Sequence, residues 1–167
     1  MNIYEVTTKE DAKLFHDVAR LIYKGDKNWI CLMDSDIEAV FDPLKNGYFN
    51  DGKAIRWILF DDSHRLAGRV AAFYNKMKAN TYKQPTGGLG FFECIDNYQA
   101  AKLLFDKCKE WLQLQGMEAM DGPINFGEND QYQGLLVEGF TPPSYGMNYH
   151  HPYYRKFFED YGFSPYF

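Results

Sequence analysis

Residues 88–125, GLGFFECIDNYQAAKLLFDKCKEWLQLQGMEAMDGPIN, carry the pattern that decides the fold. Residues 91–95 have the composition of a short strand, and the pair Asp96-Asn97 can cap the helix that follows. Gly116 ends that helix, and residues 117–120 can re-enter a sheet. The apolar residues of the helix recur at helical spacing: Ala101, Leu104, Phe105, Cys108, Trp111 and Leu112. Strand, helix and strand in one short stretch predict a βαβ unit with parallel strands and a right-handed crossover.

The chain before this unit begins with a strand and two helices. Residues 3–6 can form the strand, and Thr8 caps the first helix with Asp11 in the capping-box position. Asp34 or Ser35 is expected to cap a shorter second helix with its side chain, and the acidic residues of that helix predict a solvated face.

A β-hairpin connects these helices to the βαβ unit. Residues 54–60 and 66–74 have strand composition, and residues 61–64 form a polar turn between them. The whole order of elements predicts an α/β chain with a mixed central sheet, a hairpin, a crossover and flanking helices. We expect one domain over residues 1–167.

The chain after the unit is rich in aromatic residues. Residues 124–129 read as a loop, residues 135–137 fit either a strand or a short turn, and residues 145–149 predict a strand. Pro152 suits the first turn of a last helix, and Gly162 stops it.

Composition narrows the class of protein. The net charge is −5 and 46% of the residues are hydrophobic, which argues against a disordered chain and against nucleic-acid or membrane-surface partners. No apolar run has the length of a membrane span, and no signal peptide begins the chain. Three cysteines without paired spacing predict free thiols in a reducing compartment, so we expect a cytoplasmic location.

Three pieces of the chain together resemble the GCN5-related N-acetyltransferase (GNAT) superfamily. They are the hairpin strand with Leu66-Ala67-Gly68-Arg69-Val70-Ala71, the strand and helix over residues 91–115, and the C-terminal run Tyr154-Arg155-Lys156-Phe157-Phe158-Glu159-Asp160-Tyr161-Gly162-Phe163. The last helix of that family commonly ends in an aromatic pair, three residues and Gly-Phe. The resemblance implies N-acyl transfer from acetyl-CoA or another acyl-CoA to an amine.

The resemblance also implies where the acyl-CoA would lie. Pantetheine would pair with the backbone of Glu93, Cys94 and Ile95, in a split between the two parallel strands. The pyrophosphate would lie at the start of the helix near Asn97-Tyr98-Gln99, where free N–H groups and the helix dipole attract anions.

The acceptor, a small-molecule or peptide amine, would enter from the other side of the split. The residues that the resemblance implies for it are Asn125, Glu128, Asn129, Tyr145, Tyr149 and His151. Glu93 is the candidate general base, because burial would raise the pKa of its carboxyl group. Tyr154 is a candidate proton donor, and Tyr153 and His151 are alternatives. Each of these assignments has a structural alternative. Glu93 could face the solvent without a catalytic role, and residues 125–129 could be a turn that binds no ligand.

Two departures from the family pattern favour a second hypothesis. The loop Asp96-Asn97-Tyr98-Gln99-Ala100-Ala101 lacks glycine and begins with an acid that can compete for the helix N–H groups. Phe158 stands where the family often has a proton-donating tyrosine. The alternative function is therefore a catalytically inactive GNAT-fold module that binds a small ligand or peptide in an aromatic cleft.

Three further expectations concern the end of the chain, Cys94 and metals. Residues 164–167 would start the family's next strand, so the closing C-terminal strands would be missing, and a homodimer or a C-terminal domain would complete the sheet. Cys94 is expected in the core rather than as a nucleophile. No metal is expected at the adjacent pair His150-His151, because neighbouring strand residues point to opposite faces.

Overall fold

A computed structural model describes residues 1–128 and 130–165 as a mixed five-strand sheet flanked by helices. The strands are β1 (Asn2–Glu5), β2 (Gly52–Phe60), β3 (Leu66–Asn75), β4 (Thr86–Cys94) and β5 (Ala119–Asp121). The helices are α1 (Lys9–Ile22), α2 (Asp34–Val40), α3 (Lys76–Ala79), α4 (Tyr98–Leu114) and α5 (Tyr153–Tyr161), with a 3₁₀ turn over Gly47–Asn50.

The sheet has the order β1-β2-β3-β4-β5. The first four strands are antiparallel, and β4 and β5 are parallel with α4 as their crossover. This arrangement confirms the predicted mixed α/β fold with a hairpin and a βαβ unit. The short helix α3 was not predicted.

Helices cover both faces of the sheet. Alternate residues of β3 point to opposite sides, so Val70 and Ala72 pack towards α4 and α5, whereas Ala71 and Phe73 pack on the other side. That second side also holds α1 and α2, through Phe15 and its neighbours. The deepest layer on the α4 side consists of aromatic rings, because Phe105 and Phe158 both pack against Phe92 on β4.

Helix ends lie where the sequence predicts them. Thr8 caps α1 in a reciprocal capping box with Asp11. Asn97 caps α4 by accepting from two backbone N–H groups, and Gly162 ends α5 with a φ of 108°. At α2 the prediction of a side-chain cap is wrong, because the N-cap position is Met33 and no side chain bonds there.

In the last third of the chain one prediction is wrong, and one open choice loses its strand alternative. Residues 145–149 do not form a strand. Gly146 has a φ of 83°, and its carbonyl accepts a hydrogen bond of 2.8 Å from the amide of Tyr132 in another loop. Residues 135–137, for which the sequence left two readings, form neither helix nor strand.

The glycine run before Phe91 lies inside β4, not ahead of the strand as the sequence suggested. Its glycines serve close packing. A Cβ on Gly90 would lie 2.1 Å from the carbonyl oxygen of Ile124, and one on Gly88 would meet the Ile124 side chain at 2.7 Å. The segment that follows β5 therefore approaches β4 more closely than any side chain would permit.

No helix among the described residues combines the length and the apolar character that crossing a membrane requires.

Candidate functional site

The two parallel strands pair only over a short distance. The ladder between β4 and β5 ends at Gly88 and Asp121, and a last contact joins the Ile124 amide to the Leu89 carbonyl. Further along, β4 bulges: Phe91 has a φ of 52°, and the register with β3 shifts between Arg69 and Ala71. The second half of β4 therefore has an edge that β5 does not cover.

A narrow cleft with a volume of about 50 Å³ lies against this half of β4 on the side of α1 and α2. Aromatic and aliphatic side chains form much of its wall, including Trp29, Phe91 and Tyr149. The polar side chains that line it are His16, Arg20, Asp34, Arg69, Glu93, Asn148 and His150. A concave site with aromatic walls and a few convergent polar groups is the kind of place where small ligands bind.

Glu93 is the most unusual polar residue of this wall. It is only 8% exposed, and its Oε2 atom accepts hydrogen bonds from the hydroxyls of Tyr23 (2.7 Å) and Tyr154 (2.8 Å). Burial raises the pKa of the carboxyl group, although Arg69 and the two tyrosines act in the opposite direction. The Tyr23 hydroxyl also lies 3.0 Å from the carbonyl oxygen of Tyr149, which is a second acceptor for its single hydrogen.

Arg69 is the buried cation next to Glu93. The guanidinium is 4% exposed, and its Nη2 lies 3.8 Å from Glu93 Oε1. Its Nη1 donates to the carbonyl of Phe15 at 3.0 Å, and the group lies 4.8 Å from the centroid of the Phe15 ring. Burial lowers the pKa of Arg69, and the nearby Glu93 charge opposes that effect. The pair is buried but loose, at a distance longer than a hydrogen bond.

His16 forms a second polar group in the same cleft. Its Nε2 lies 2.8 Å from Oε1 of Glu38, and Arg56 holds both oxygens of that carboxylate at 2.5 and 3.1 Å. Burial alone would raise the pKa of Glu38, but the bonds from His16 and Arg56 outweigh it and lower the pKa to about 2. The other ring nitrogen, Nδ1, is buried without a hydrogen-bond partner.

Tyr153 and Tyr154 occupy the uncovered edge of β4. The amide of Cys94 donates to the Tyr154 hydroxyl at 2.8 Å, and the Tyr153 hydroxyl donates to the Cys94 carbonyl at 2.9 Å. The Ile95 amide bonds inside the sheet to the carbonyl of Ala67, and Glu93 is in register with Arg69 on β3. The backbone that was expected to pair with pantetheine therefore has protein partners.

The start of α4 is occupied in a similar way. The side chain of Asn97 accepts from the amides of Gln99 (2.9 Å) and Ala100 (3.2 Å). The expectation that Asp96 competes for these groups is wrong, because Asp96 is exposed and precedes the cap. Tyr98 packs against Phe157 instead of leaving the helix end open.

Of the aromatic-segment residues expected to contact the acceptor, Tyr149 lines the cleft, whereas Tyr145 and His151 are not among its lining residues. Tyr149 donates to Asp26 at 2.9 Å. His151 stacks on Tyr23 with ring centroids 4.7 Å apart. Tyr145 is about half exposed and donates to Asp36 on α2 at 2.6 Å.

The loop residues expected to contact the acceptor lie elsewhere. Asn125 lines a separate depression beside α3 and the ends of β3, β4 and β5, and its side-chain amide donates to the Glu128 carbonyl at 3.2 Å. Glu128 accepts from Tyr48 at 3.2 Å. Neither residue lines the cleft beside Glu93. Asn129 lies outside the described residues.

Sequence reasoning missed Tyr23, His16 and Arg69 as functional candidates. Arg69 had a visible signal, since a charged residue interrupts an otherwise apolar strand over residues 66–73. His16 follows the buried Phe15 on α1, and Tyr23 lies one helical turn after the buried Ala19. The partners of both side chains are distant in sequence, so the sequence alone does not reveal them.

Two other kinds of chemistry find little support in this region. Among residues 1–128 and 130–165, no three His, Cys, Asp or Glu side chains converge on a point where they could hold a metal ion. Burial raises the pKa of the Cys94 thiol, so this group stays neutral and poorly nucleophilic.

Comparisons with known proteins agree with this fold. A proposed acetyl transferase from Pyrococcus furiosus has a solved structure with a TM-score of 0.52 and 14% sequence identity, over 98% of this chain and 94% of that chain. A GNAT-family acetyltransferase from Staphylococcus aureus Mu50 gives a TM-score of 0.46 and 16% identity over 71% of this chain and 69% of that chain. The first of these likenesses shows that the mixed sheet with its flanking helices is a fold shared with the Pyrococcus furiosus protein.

The sequence comparisons add one relative. No family model matches the chain. Protein YghO of Escherichia coli strain K12 is 29% identical over 156 residues, which is 93% of this chain. The chain spans 39% of the length of that curated relative.

Proposed function

We propose that this chain transfers an acyl group to an amine, with the amine in the cleft and Glu93 as its proton acceptor. The observation that carries the proposal is the buried Glu93 carboxylate, held by two tyrosine hydroxyls in the wall of an aromatic cleft. The fold supports the same reaction class, since a solved structure that shares it is named as an acetyl transferase.

The chemistry of Glu93 suits removal of a proton from an ammonium group. An amine attacks a carbonyl carbon only in its neutral form, so a base must first take one proton. Burial raises the pKa of Glu93 towards the range in which a carboxylate is an effective general base. Tyr23 and Tyr154 fix Oε2, which leaves Oε1, 3.8 Å from Arg69, as the oxygen with the looser contact.

Acyl-CoA is the donor that the fold suggests, and when bound it would supply an activated thioester. The β4 edge does not fit it in the arrangement described here. Both backbone groups of Cys94 are bonded to tyrosine hydroxyls, and the Asn97 side chain takes two N–H groups at the start of α4. We therefore assign no step of the reaction to interactions with the donor.

The same observation favours a second candidate function. A module that binds a small ligand or peptide in the cleft, without transferring an acyl group, needs no open β4 edge. The tyrosine bonds to Cys94 would then be permanent structural contacts.

Two measurements separate these functions. Acetyl-CoA is titrated into the protein by calorimetry at low salt, and a panel of primary amines is screened for acetylation. We expect Glu93→Gln to lose at least a hundredfold in acetylation rate, because an amide cannot accept the proton. Glu5→Gln, on the exposed edge strand β1, is the matched control and should keep the rate. Full activity in Glu93→Gln would contradict the role of Glu93 as the base. If the protein neither binds acetyl-CoA nor acetylates any amine, the binding module is the function that remains.

A further inference from the structure

His16 combines three features that nothing in the proposed reaction uses. It is 4% exposed, it lines the cleft together with Glu93, and its Nδ1 has no hydrogen-bond partner. A buried polar atom without a partner is costly, so it is retained chiefly where a ligand, an ion or a water completes its bonding.

The contacts of His16 define the role of each ring nitrogen. The Glu38 carboxylate is ionised at neutral pH, because its pKa is lowered to about 2, and it can only accept a hydrogen bond. The Nε2 atom, 2.8 Å from Glu38 Oε1, must therefore carry the hydrogen. In the neutral ring this leaves Nδ1 as a lone-pair acceptor.

The neighbours of the ring define the surroundings of Nδ1. Glu38 does not line the cleft, whereas Asp34, 3.8 Å from Nδ1, does. The carboxylate beside Nδ1 thus belongs to the cleft wall, as His16 itself does. Arg20 pairs with Asp34 at 2.5 Å and Arg56 pairs with Glu38, so each carboxylate next to the ring already has a cationic partner. What the ring lacks is a hydrogen-bond donor.

We propose that His16, oriented by Glu38, is a second proton acceptor of the cleft and binds the N–H group of an entering primary amine through Nδ1. The proposal rests on the proposed function in that the ligand is an amine. In the step, one proton leaves the ammonium nitrogen and bonds to Nδ1. The products are a neutral amine and an imidazolium, and the Glu38 carboxylate stabilises the imidazolium at Nε2.

Two acceptors match the stoichiometry of amine acylation. An ammonium group loses two protons on the way to an amide: one before attack on the acyl carbon, which His16 and Glu93 can each accept, and one after it, which passes to the acceptor that is still unprotonated. Glu93 and His16 line one cleft, and Arg69 connects them, since it contacts Glu93 and the carbonyl of Phe15, the residue before His16. One cleft can therefore accept both protons.

The first test observes His16 without any acyl donor. Long-range ¹H–¹⁵N NMR reports whether Nδ1 is protonated, and His16→Gln assigns the signal among the four histidines. We expect benzylamine to shift the Nδ1 resonance towards the protonated form. Benzyltrimethylammonium, which keeps the ring and the charge but has no N–H, should leave that resonance unchanged. Saturating benzylamine without a shift at Nδ1, or no binding of benzylamine, would overturn the proposal.

The second test uses a matched pair of variants. In His16→Gln the amide nitrogen can still reach Glu38, but no atom replaces Nδ1, whereas His16→Asn places a polar atom near Nδ1 and cannot reach Glu38. By calorimetry we expect benzylamine to bind at least tenfold more weakly to His16→Gln, and His16→Asn to recover part of the affinity. Equal weakening of benzylamine and benzyltrimethylammonium would mean a structural role only and would overturn the proposal.

These outcomes also separate this inference from the proposed function. If the NMR response is present while no amine is acetylated, His16 binds amines and acyl transfer is rejected. If acetylation occurs with Nδ1 unmoved by the amine, acyl transfer stands and the role of His16 is rejected.

Discussion

At the scale of single residues, two carboxylates near the cleft have opposite electrostatic surroundings. Glu38 is partly exposed and paired with Arg56 and His16, so its pKa falls, whereas Glu93 is buried with only a loose cation, so its pKa rises. Environments that separate the pKa values of two acids are typical of sites that handle protons. Glu93 is suited to accept a proton, and Glu38 to remain charged and orient His16.

The ionised Glu38 should make stability depend on pH. A carboxyl group whose folded pKa is lowered from 4.5 to about 2 stabilises the fold above pH 4.5, and this contribution is lost as the pH falls towards 2. Because the side chain is 40% exposed, solvent screening reduces the expected contribution to about 1–2 kcal/mol. Urea unfolding should therefore show a larger gap between the wild type and Glu38→Gln at pH 5 than at pH 2.5. Glu5→Gln is the control for loss of one carboxylate, and an equal gap at both pH values would contradict the prediction.

Sequence reasoning reached only part of this site. Glu93 and Tyr154 were singled out because an acid between apolar strand residues and a tyrosine in an aromatic run are visible locally. Their hydrogen bond joins positions 61 residues apart, and that of Tyr23 to Glu93 joins positions 70 apart. A single sequence contains no signal for such pairs, so the site could be suspected at Glu93 but not assembled.

At the scale of elements, local signals predicted the helix ends and long-range packing decided the rest. The capping box at Thr8 and the glycine stop at Gly162 depend on neighbouring residues alone. The predicted strand at residues 145–149 failed because a strand requires a partner, and this segment instead turns at Gly146 to contact Tyr132. The position of Gly90 inside β4 likewise depends on Ile124, far along the chain.

The cap of α4 provides a direct test of helix-end chemistry. Asn97→Ala removes the acceptor for the amides of Gln99 and Ala100 and should lower the unfolding free energy by about 1 kcal/mol. Hydrogen exchange at those two amides should become faster. Asp96→Ala is the matched control and should change stability by less than about 0.5 kcal/mol. A larger loss in Asp96→Ala than in Asn97→Ala would show that the acid is the cap.

The close approach at β4 makes Gly90 intolerant of a side chain. In Gly90→Ala the new Cβ would lie 2.1 Å from a backbone oxygen of Ile124, so the backbone must move. We expect a loss of about 2–3 kcal/mol in unfolding free energy, measured by urea denaturation. Gly47→Ala, whose Cβ would meet no atom closer than 3.9 Å, is the control and should stay within about 0.5 kcal/mol. Equal stability of the two variants would contradict the packing described for β4.

At the scale of the whole molecule, α5 connects both sides of the sheet edge. Phe157 and Phe158 pack into the core beside α4, while Tyr154, on the same helix, reaches Glu93 on the cleft side. The two tyrosine hydroxyls at Cys94 lie between these regions. The position of α5 therefore controls both the base in the cleft and access to the edge of β4.

This arrangement predicts the effect of removing the two hydroxyls. In the double variant Tyr153→Phe/Tyr154→Phe the Cys94 amide and carbonyl lose their partners and become available to a donor. If the hydroxyls compete with acyl-CoA for this edge, calorimetry should show tighter binding of acetyl-CoA to the double variant than to the wild type. The gain should be roughly tenfold for each backbone hydrogen bond regained. Tyr161→Phe is the matched control, because its hydroxyl lies on the same helix but bonds to Asp106, away from β4.

The three outcomes of that titration have different meanings. Tighter binding in the double variant alone means that Tyr153 and Tyr154 close a donor site that the fold retains, and that a shift of α5 would open it. Equal binding in all three proteins would contradict competition between the tyrosine hydroxyls and acetyl-CoA. The donor would then bind away from Cys94. Absence of binding in all three, with thermal unfolding confirming that each is folded, means that the β4 edge takes no acyl-CoA. The cleft around Glu93 and His16 would then bind its ligand without acyl transfer.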